Sequence, residues 1–294
     1  MINARRAAPA LAAALVLVAV VAALLWQHQR QADVAALLTQ PCGPPIYKAD
    51  GTAWACTFDD EFDGTSLDRS KWQVQTEFVS GSVHDGYACY IDDPAAVSVG
   101  GGTLHLTVRK TGTMRSCQGL PKPTPYIAGM VNTYHRFSQQ YGRFEVRMKN
   151  TATVVPGLHE AFWLWPDDRY VKLNWPSTGE FDVVETYSLY PHVGLPYLHY
   201  GATDNDGWIK GVNTQWTCAA ERGEWNTYTL EWDRKALTIS MNGKVCLVNT
   251  AHPVAFAERY ILNLTAALGE SHNSMSDKTP IPATTLVDYV RVWK

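Results

Sequence analysis

The chain has 294 residues, 46% of them hydrophobic, 11% aromatic and 18% charged, and its 28 acids against 25 Lys and Arg give a net charge of -3. That balance supplies no basic patch of the kind that holds a nucleic acid. Eleven Trp in this length is well above ordinary usage.

In chain order, Arg5 and Arg6 close a positive end, and residues 7–26 follow without a charge. About 20 apolar positions suffice to span a bilayer as a helix. A cleaved signal peptide usually has a shorter apolar core and a small-x-small site after it. Here Trp26-Gln27-His28-Gln29 follows instead, and Val21-Ala22-Ala23 is a weak site. Residues 1–26 are therefore read as a signal anchor, cytoplasmic end first, with a signal peptide as the alternative. Residues 27–47 lack strand alternation and read as a linker. Residues 48–294 fit one large all-β domain lying outside the cytoplasm, membrane-anchored or secreted, and a monomer is expected.

Six cysteines in an exported chain argue for up to three disulfides, and order along the chain suggests Cys42–Cys56, Cys89–Cys117 and Cys218–Cys246. Their spacing makes no zinc knuckle. Strand signals begin at Thr103 to Lys110, where Leu104, Leu106 and Val108 alternate with His105, Thr107 and Arg109. They continue through Phe144, Val146 and Met148, with Arg143, Glu145 and Arg147 read as paired charges on the opposite sheet face. Between Thr227 and Cys246, two alternating runs flank Asn242-Gly243, the strongest short hairpin signal.

Pro156 to Trp175 carries Trp163, Trp165 and Trp175. Aromatic faces suit sugars, because the axial C–H groups of a pyranose stack on a ring while its hydroxyls seek Asn, Asp, Glu and His. Trp163 and Trp175 are assigned to the substrate, and Trp165 is left unassigned between core and cleft. Just beyond lies Gly-Glu-Phe-Asp-Val-Val-Glu, residues 179–185, with three carboxylates in seven residues. A chain of this composition holds Glu-x-Asp-x-x-Glu by chance roughly 0.02 times. On a regular strand Glu180 and Asp182 share a face and Glu185 points away; one extra residue, a β-bulge, would return it. Three like charges so close should hold at least one proton well above the usual carboxyl range. That is the pair of states a retaining glycosidase needs. Glu180 is then the nucleophile, Glu185 the acid/base, and Asp182 the residue between them that tunes both.

Pro156 to Ser188 resembles the family-16 glycoside hydrolases, the laminarinase-like endo-glucanases, in their bulged Glu-x-Asp-x-x-Glu branch. Phe58-Asp59-Asp60-Glu61-Phe62, Tyr141-Gly142-Arg143-Phe144-Glu145, Leu262-Asn263-Leu264 and the closing run from Leu286 to Lys294 match it too, over about 240 residues. The resemblance implies an all-β fold of two antiparallel sheets, a β-jelly-roll sandwich of the concanavalin A-like type. It implies an open groove for a polysaccharide and no required cofactor. It places His199 near the acids and Asn263 against a sugar hydroxyl, whereas His159 and His192 are read as structural. It also implies a structural calcium held by Glu61, Asp288 and a carbonyl near Gly101. One departure stands out: where members carry Leu-Trp-Pro-Ala, this chain has Leu158-His159-Glu160-Ala161, which puts hydrogen-bonding groups in place of a flat stacking surface.

The expectation is a retaining endo-β-glycosidase acting on a β-1,3- or mixed-linkage glucan. A β-galactan hydrolase and a transglycosylase are alternatives on the same scaffold, and a lectin without catalysis is the alternative from another class.

Overall fold

The computed structural model describes residues 20–31, 40–82, 84, 86–118, 120, 122–171, 174–201, 209–251 and 253–294. Most of the segment expected to enter a membrane, 1–26, lies outside the described residues. Among the described residues no helix is long and apolar enough to cross a membrane. The chain forms two compact units, Met1–Trp54 and Ala55–Lys294. In the first, residues 20–31 are helical and Tyr47 bridges Ala53.

The second unit opens with β1 (Cys56–Asp60), β2 (Gln73–Val74), β3 (Val79–Ser82), β4 (Gly86–Tyr90), β5 (Val97–Gly100) and β6 (Thr103–Arg115). It continues through β7 (Thr124–Ala128), β8 (Met130–Asn132), β9 (Gly142–Lys149), β10 (Leu158–Pro166), β11 (Glu180–Tyr187) and β12 (Leu195–His199). It ends with β13 (Asn226–Trp232), β14 (Leu237–Met241), β15 (Lys244–Asn249), β16 (Tyr260–Leu268) and β17 (Ala283–Trp293). One sheet has six strands in the order β12-β11-β10-β16-β8-β2, and the other has eleven, built along β15-β14-β13-β9-β17-β6-β7-β4-β3. The jelly-roll sandwich read from the sequence is therefore present, with one addition: β4 runs parallel to β7.

Alternation places the core. In β9, Phe144, Val146 and Met148 are fully buried while Arg143, Glu145 and Arg147 face outward. Tyr228, Leu230 and Trp232 of β13 meet them in the same core as Phe162 and Leu164 of β10 and Phe181 of β11 from the other sheet. The hairpin at Asn242-Gly243 has positive φ at both residues, 51° and 74°, the geometry its sequence favours. Cys89–Cys117 and Cys218–Cys246 are bonded as order along the chain suggested, and no cysteine among the described residues is free.

All nine residues of β16 are buried. Leu262, Leu264 and Leu268 point into the core, while Ile261, Asn263, Thr265 and Ala267 form the floor of a cleft on the other face. Phe181 anchors the strand that carries the acids. Its ring lies 4.5 Å from Phe256, 4.8 Å from Tyr260 and 5.0 Å from Trp232. Removing so large a buried ring leaves a cavity that the surrounding sheets cannot close. Phe181→Ala should therefore cost about 3–5 kcal/mol in denaturant unfolding, and a loss below about 1 kcal/mol would show that the strand does not depend on this cluster.

Candidate functional site

The turn into β11 is fixed by Gly179, at φ +73°, where an added Cβ would sit 2.7 Å from Phe256 and 2.8 Å from the Tyr260 hydroxyl. The same hydroxyl donates to the carbonyl of Thr178 at 2.6 Å, so the chain enters the strand at one fixed point. From there the register against β10 is broken once: Phe162 pairs with Val184, yet Trp163 pairs with Asp182, leaving Val183 over. Against β12 the break falls at the same place, between Asp182 and Glu185. Val183 and Val184 are both fully buried as a result. Glu185 returns to the face of Glu180 and Asp182, and all three line one cleft of about 830 Å³.

Each acid has its own partners. The Trp175 indole N–H donates to Glu180 Oε2 at 2.6 Å. His199 Nε2 meets Asp182 Oδ2 at 2.9 Å. On Glu185, His159 Nε2 lies 3.0 Å from Oε1 and the Tyr187 hydroxyl donates to the same oxygen at 2.7 Å. These partners divide the protons. Burial, with the charge of Asp182 added, pushes Glu180 up to about 8. Burial and the charge of Glu185 push Asp182 up to about 6. Burial acts on Glu185 as well, but the His159 bond and charge and the Tyr187 hydroxyl outweigh it and hold that carboxyl below its ordinary value. In the open cleft the proton therefore rests on Glu180 and the charge on Glu185.

The aromatic residues converge on the same groove. Trp163 and Trp165 line it at 81° to one another, and Trp175, 43% exposed, stacks on Trp165 at 6.3 Å. Trp165, unassigned in the sequence, belongs with them because it lies two residues from Trp163 on the same strand face. Asn263 lies in the floor, paired across the sheet with Trp163 and Asn132. His192 is outside the cleft, bonded to Glu221 at 2.5 Å.

Two expectations are corrected. His159 is not merely structural, since it faces the cleft and holds Glu185. Its neighbour Glu160 turns the other way, into the interior, where Arg222 grips both its oxygens at 2.6 Å and Thr186 donates at 2.8 Å. The ion pair is almost wholly buried, at 3% and 4% side-chain exposure. The residues expected to hold calcium are committed elsewhere. Arg291 binds Glu61 through both oxygens at 2.7 and 2.8 Å, and Arg147 is bonded to Asp288. Carboxylates neutralised by guanidinium groups do not fit a calcium ion, which needs those oxygens for itself. The place of Tyr187 beside the acid was signalled only by its spacing, two residues after Glu185.

A family model for the glycosyl hydrolases of family 16 matches residues 84–279. A glucan endo-1,3-β-glucosidase A1 of Niallia circulans is 27% identical over 270 residues, covering 81% of this chain and 37% of its own length. A keratan-sulfate endo-1,4-β-galactosidase of Sphingobacterium multivorum is 26% identical over 251 residues, covering 83% of this chain and 56% of its own. The chain thus spans less than two thirds of either relative. Among solved structures, a variant of a non-specific endo-β-1,3(4)-glucanase, with 1,3-β-D-cellobiosyl-glucose at its active site, superposes with a TM-score of 0.70. It is 25% identical, and the match covers 87% of this chain and all of that one.

The proton on Glu180 has a consequence for stability. A carboxyl raised by folding keeps its proton where the unfolded chain has lost it, so its contribution is full below about 4.5 and is lost as pH rises through about 8. Glu180→Gln should therefore be more stable than the wild type at pH 8, with the gap narrowing toward pH 5. Equal unfolding midpoints at both pH values would place the proton elsewhere.

Proposed function

Because the chain belongs to the glycosyl hydrolases of family 16, we propose that it is a retaining endo-β-glycosidase that cuts a neutral β-glucan, with β-1,3 or mixed linkage, by double displacement. The observation that carries the reading is the single face shared by Glu180, Asp182 and Glu185, placed in a groove with Trp163 and Trp165. The groove draws its lining from every strand of the six-stranded sheet, which suits a chain lying across it and internal cleavage.

In the first half-reaction a Glu180 oxygen bonds the anomeric carbon as the glycosidic bond breaks, and Glu185 gives its proton to the leaving oxygen. In the second, Glu185 takes a proton from water as the water oxygen displaces Glu180. The working state needs Glu180 ionised and Glu185 protonated, the reverse of the open cleft. Asp182, held by His199, stands between the two and keeps their values coupled.

Charge favours glucan over a sulfated galactan. The described lining includes Glu77, Glu180, Asp182, Glu185 and Glu270, and no Lys or Arg. A sulfate brought into that field would meet repulsion with no Lys or Arg to offset it, because the two histidines of the lining, His159 and His199, are already paired with Glu185 and Asp182. The disulfides fit a compartment outside the reducing cytoplasm, consistent with an exported enzyme.

Glu180→Gln should lower hydrolysis at least about 1,000-fold while glucan binding persists. Azide should restore turnover of an activated glycoside by Glu180→Ala and yield the opposite anomer. Full activity in Glu180→Gln would remove the nucleophile assignment. A panel of β-1,3-glucan, mixed-linkage glucan, unsulfated galactan and sulfated galactan should give shortened chains from the glucans. Preferential cleavage of the sulfated polymer would overturn the charge argument.

A further inference from the structure

We propose that His159 is the positioning residue of the proton donor: with Tyr187 it grips Glu185 by one oxygen, fixes the aim of that carboxyl, and leaves the second oxygen for the sugar. The proposal rests on the roles given above to Glu180 and Glu185.

The geometry is set by register. His159 of β10 lies directly opposite Tyr187 of β11. Their rings stack at 4.6 Å and 4°, so nearly parallel that each restrains the other. Both then point a hydrogen-bonding atom at Glu185 Oε1, the imidazole at 3.0 Å and the phenol at 2.7 Å. Among the described residues neither reaches Oε2. A carboxylate held by two donors on one oxygen is fixed in rotation, and its remaining oxygen keeps a constant aim.

The surroundings favour a charged imidazole. On β11 it faces Glu185, with Asp182 further along, and its own neighbour on β10 is Glu160, itself paired with Arg222. On β16 its partner is Ala267, which cannot titrate, and Glu270 lies beyond in the lining. His199 of β12 is occupied with Asp182, at 2.9 Å. Burial disfavours the imidazolium, yet the Glu185 bond and the charges of Glu185, Glu160 and Asp182 outweigh it, and His159 is raised above the ordinary imidazole value.

The chemical consequence concerns difficult leaving groups. As the glycosidic bond breaks, its electron pair passes to the leaving oxygen and the proton crosses from Glu185. The new carboxylate forms against an imidazolium and a phenol already in place. Glu185 is therefore the stronger acid, which matters for a sugar hydroxyl and little for a phenolate that leaves unaided.

His159→Gln keeps a donor and removes the charge. Turnover of a glucan oligosaccharide should fall about tenfold, with KM little changed, while an aryl glycoside with a good leaving group loses less than about twofold. The acidic limb of kcat/KM, which follows Glu185, should move to higher pH, because the carboxyl loses the cation that lowered it. Equal losses on the two substrates, or an acidic limb that stays in place, would overturn the proposal. A second measurement needs neither substrate nor variant folding at position 159. The His159 ring, followed by NMR, should titrate above the ordinary imidazole value in the wild type and below that position in Glu185→Gln. A ring that titrates at the ordinary value would end the proposal even in an active enzyme. A raised ring in a protein inactive on every glycan would sustain the pair and count against the glycosidase reading alone.

Discussion

Three carboxyl groups on one face of one strand cannot all be ionised, and the site is arranged around that limit. Water would normally screen such charges, but here the strand is half enclosed and the groups must settle their protonation with each other and with their partners. Trp175 on Glu180, His199 on Asp182, and His159 with Tyr187 on Glu185 give each acid a different environment. Chemically similar side chains thereby become one proton holder and one anion. The same separation that makes the site able to act as acid and base also stores strain in the folded protein, because burying a raised carboxyl costs stability at neutral pH.

Holding the acids together is a task for the opposite face of the strand. The extra residue at Val183 returns Glu185 to the groove only because Val183 and Val184 both find room in the core. Phe181, between Glu180 and Asp182, sits among Phe256, Tyr260 and Trp232 and fixes where the first two acids emerge. Gly179 admits no side chain at the entry. The groove side thus inherits its precision from apolar packing a few ångströms away.

Much of this was legible in the sequence. Alternation in β6, β9 and β13, the Asn242-Gly243 turn and the crowding of acids in residues 179–185 are local signals, and local signals survive without coordinates. Pairing choices are not local. Nothing in Leu158-His159-Glu160-Ala161 says which of two adjacent polar residues turns inward; that is decided by the register of β10 and by Arg222, 62 positions away. Likewise Glu61 and Asp288 carry oxygen ligands in a plausible order, but their arginine partners lie on neighbouring strands. Trp165 and Tyr187 were within reach, since each lies two residues from a residue already assigned, on strands where that spacing keeps the face.

The inward-facing pair of Glu160 and Arg222 bears on how this chain can change over generations. Replacing one partner would strand an ion in a dry interior, at about 3–5 kcal/mol, whereas exchanging both for well-packed apolar groups can be neutral or better. Positions 160 and 222 are therefore free to drift only in step, and a lineage that lost one would be pressed to lose the other. Because residue 160 lies beside the histidine that faces the groove, this quiet coupling behind the sheet restricts which remodellings of the groove surface are open to descent.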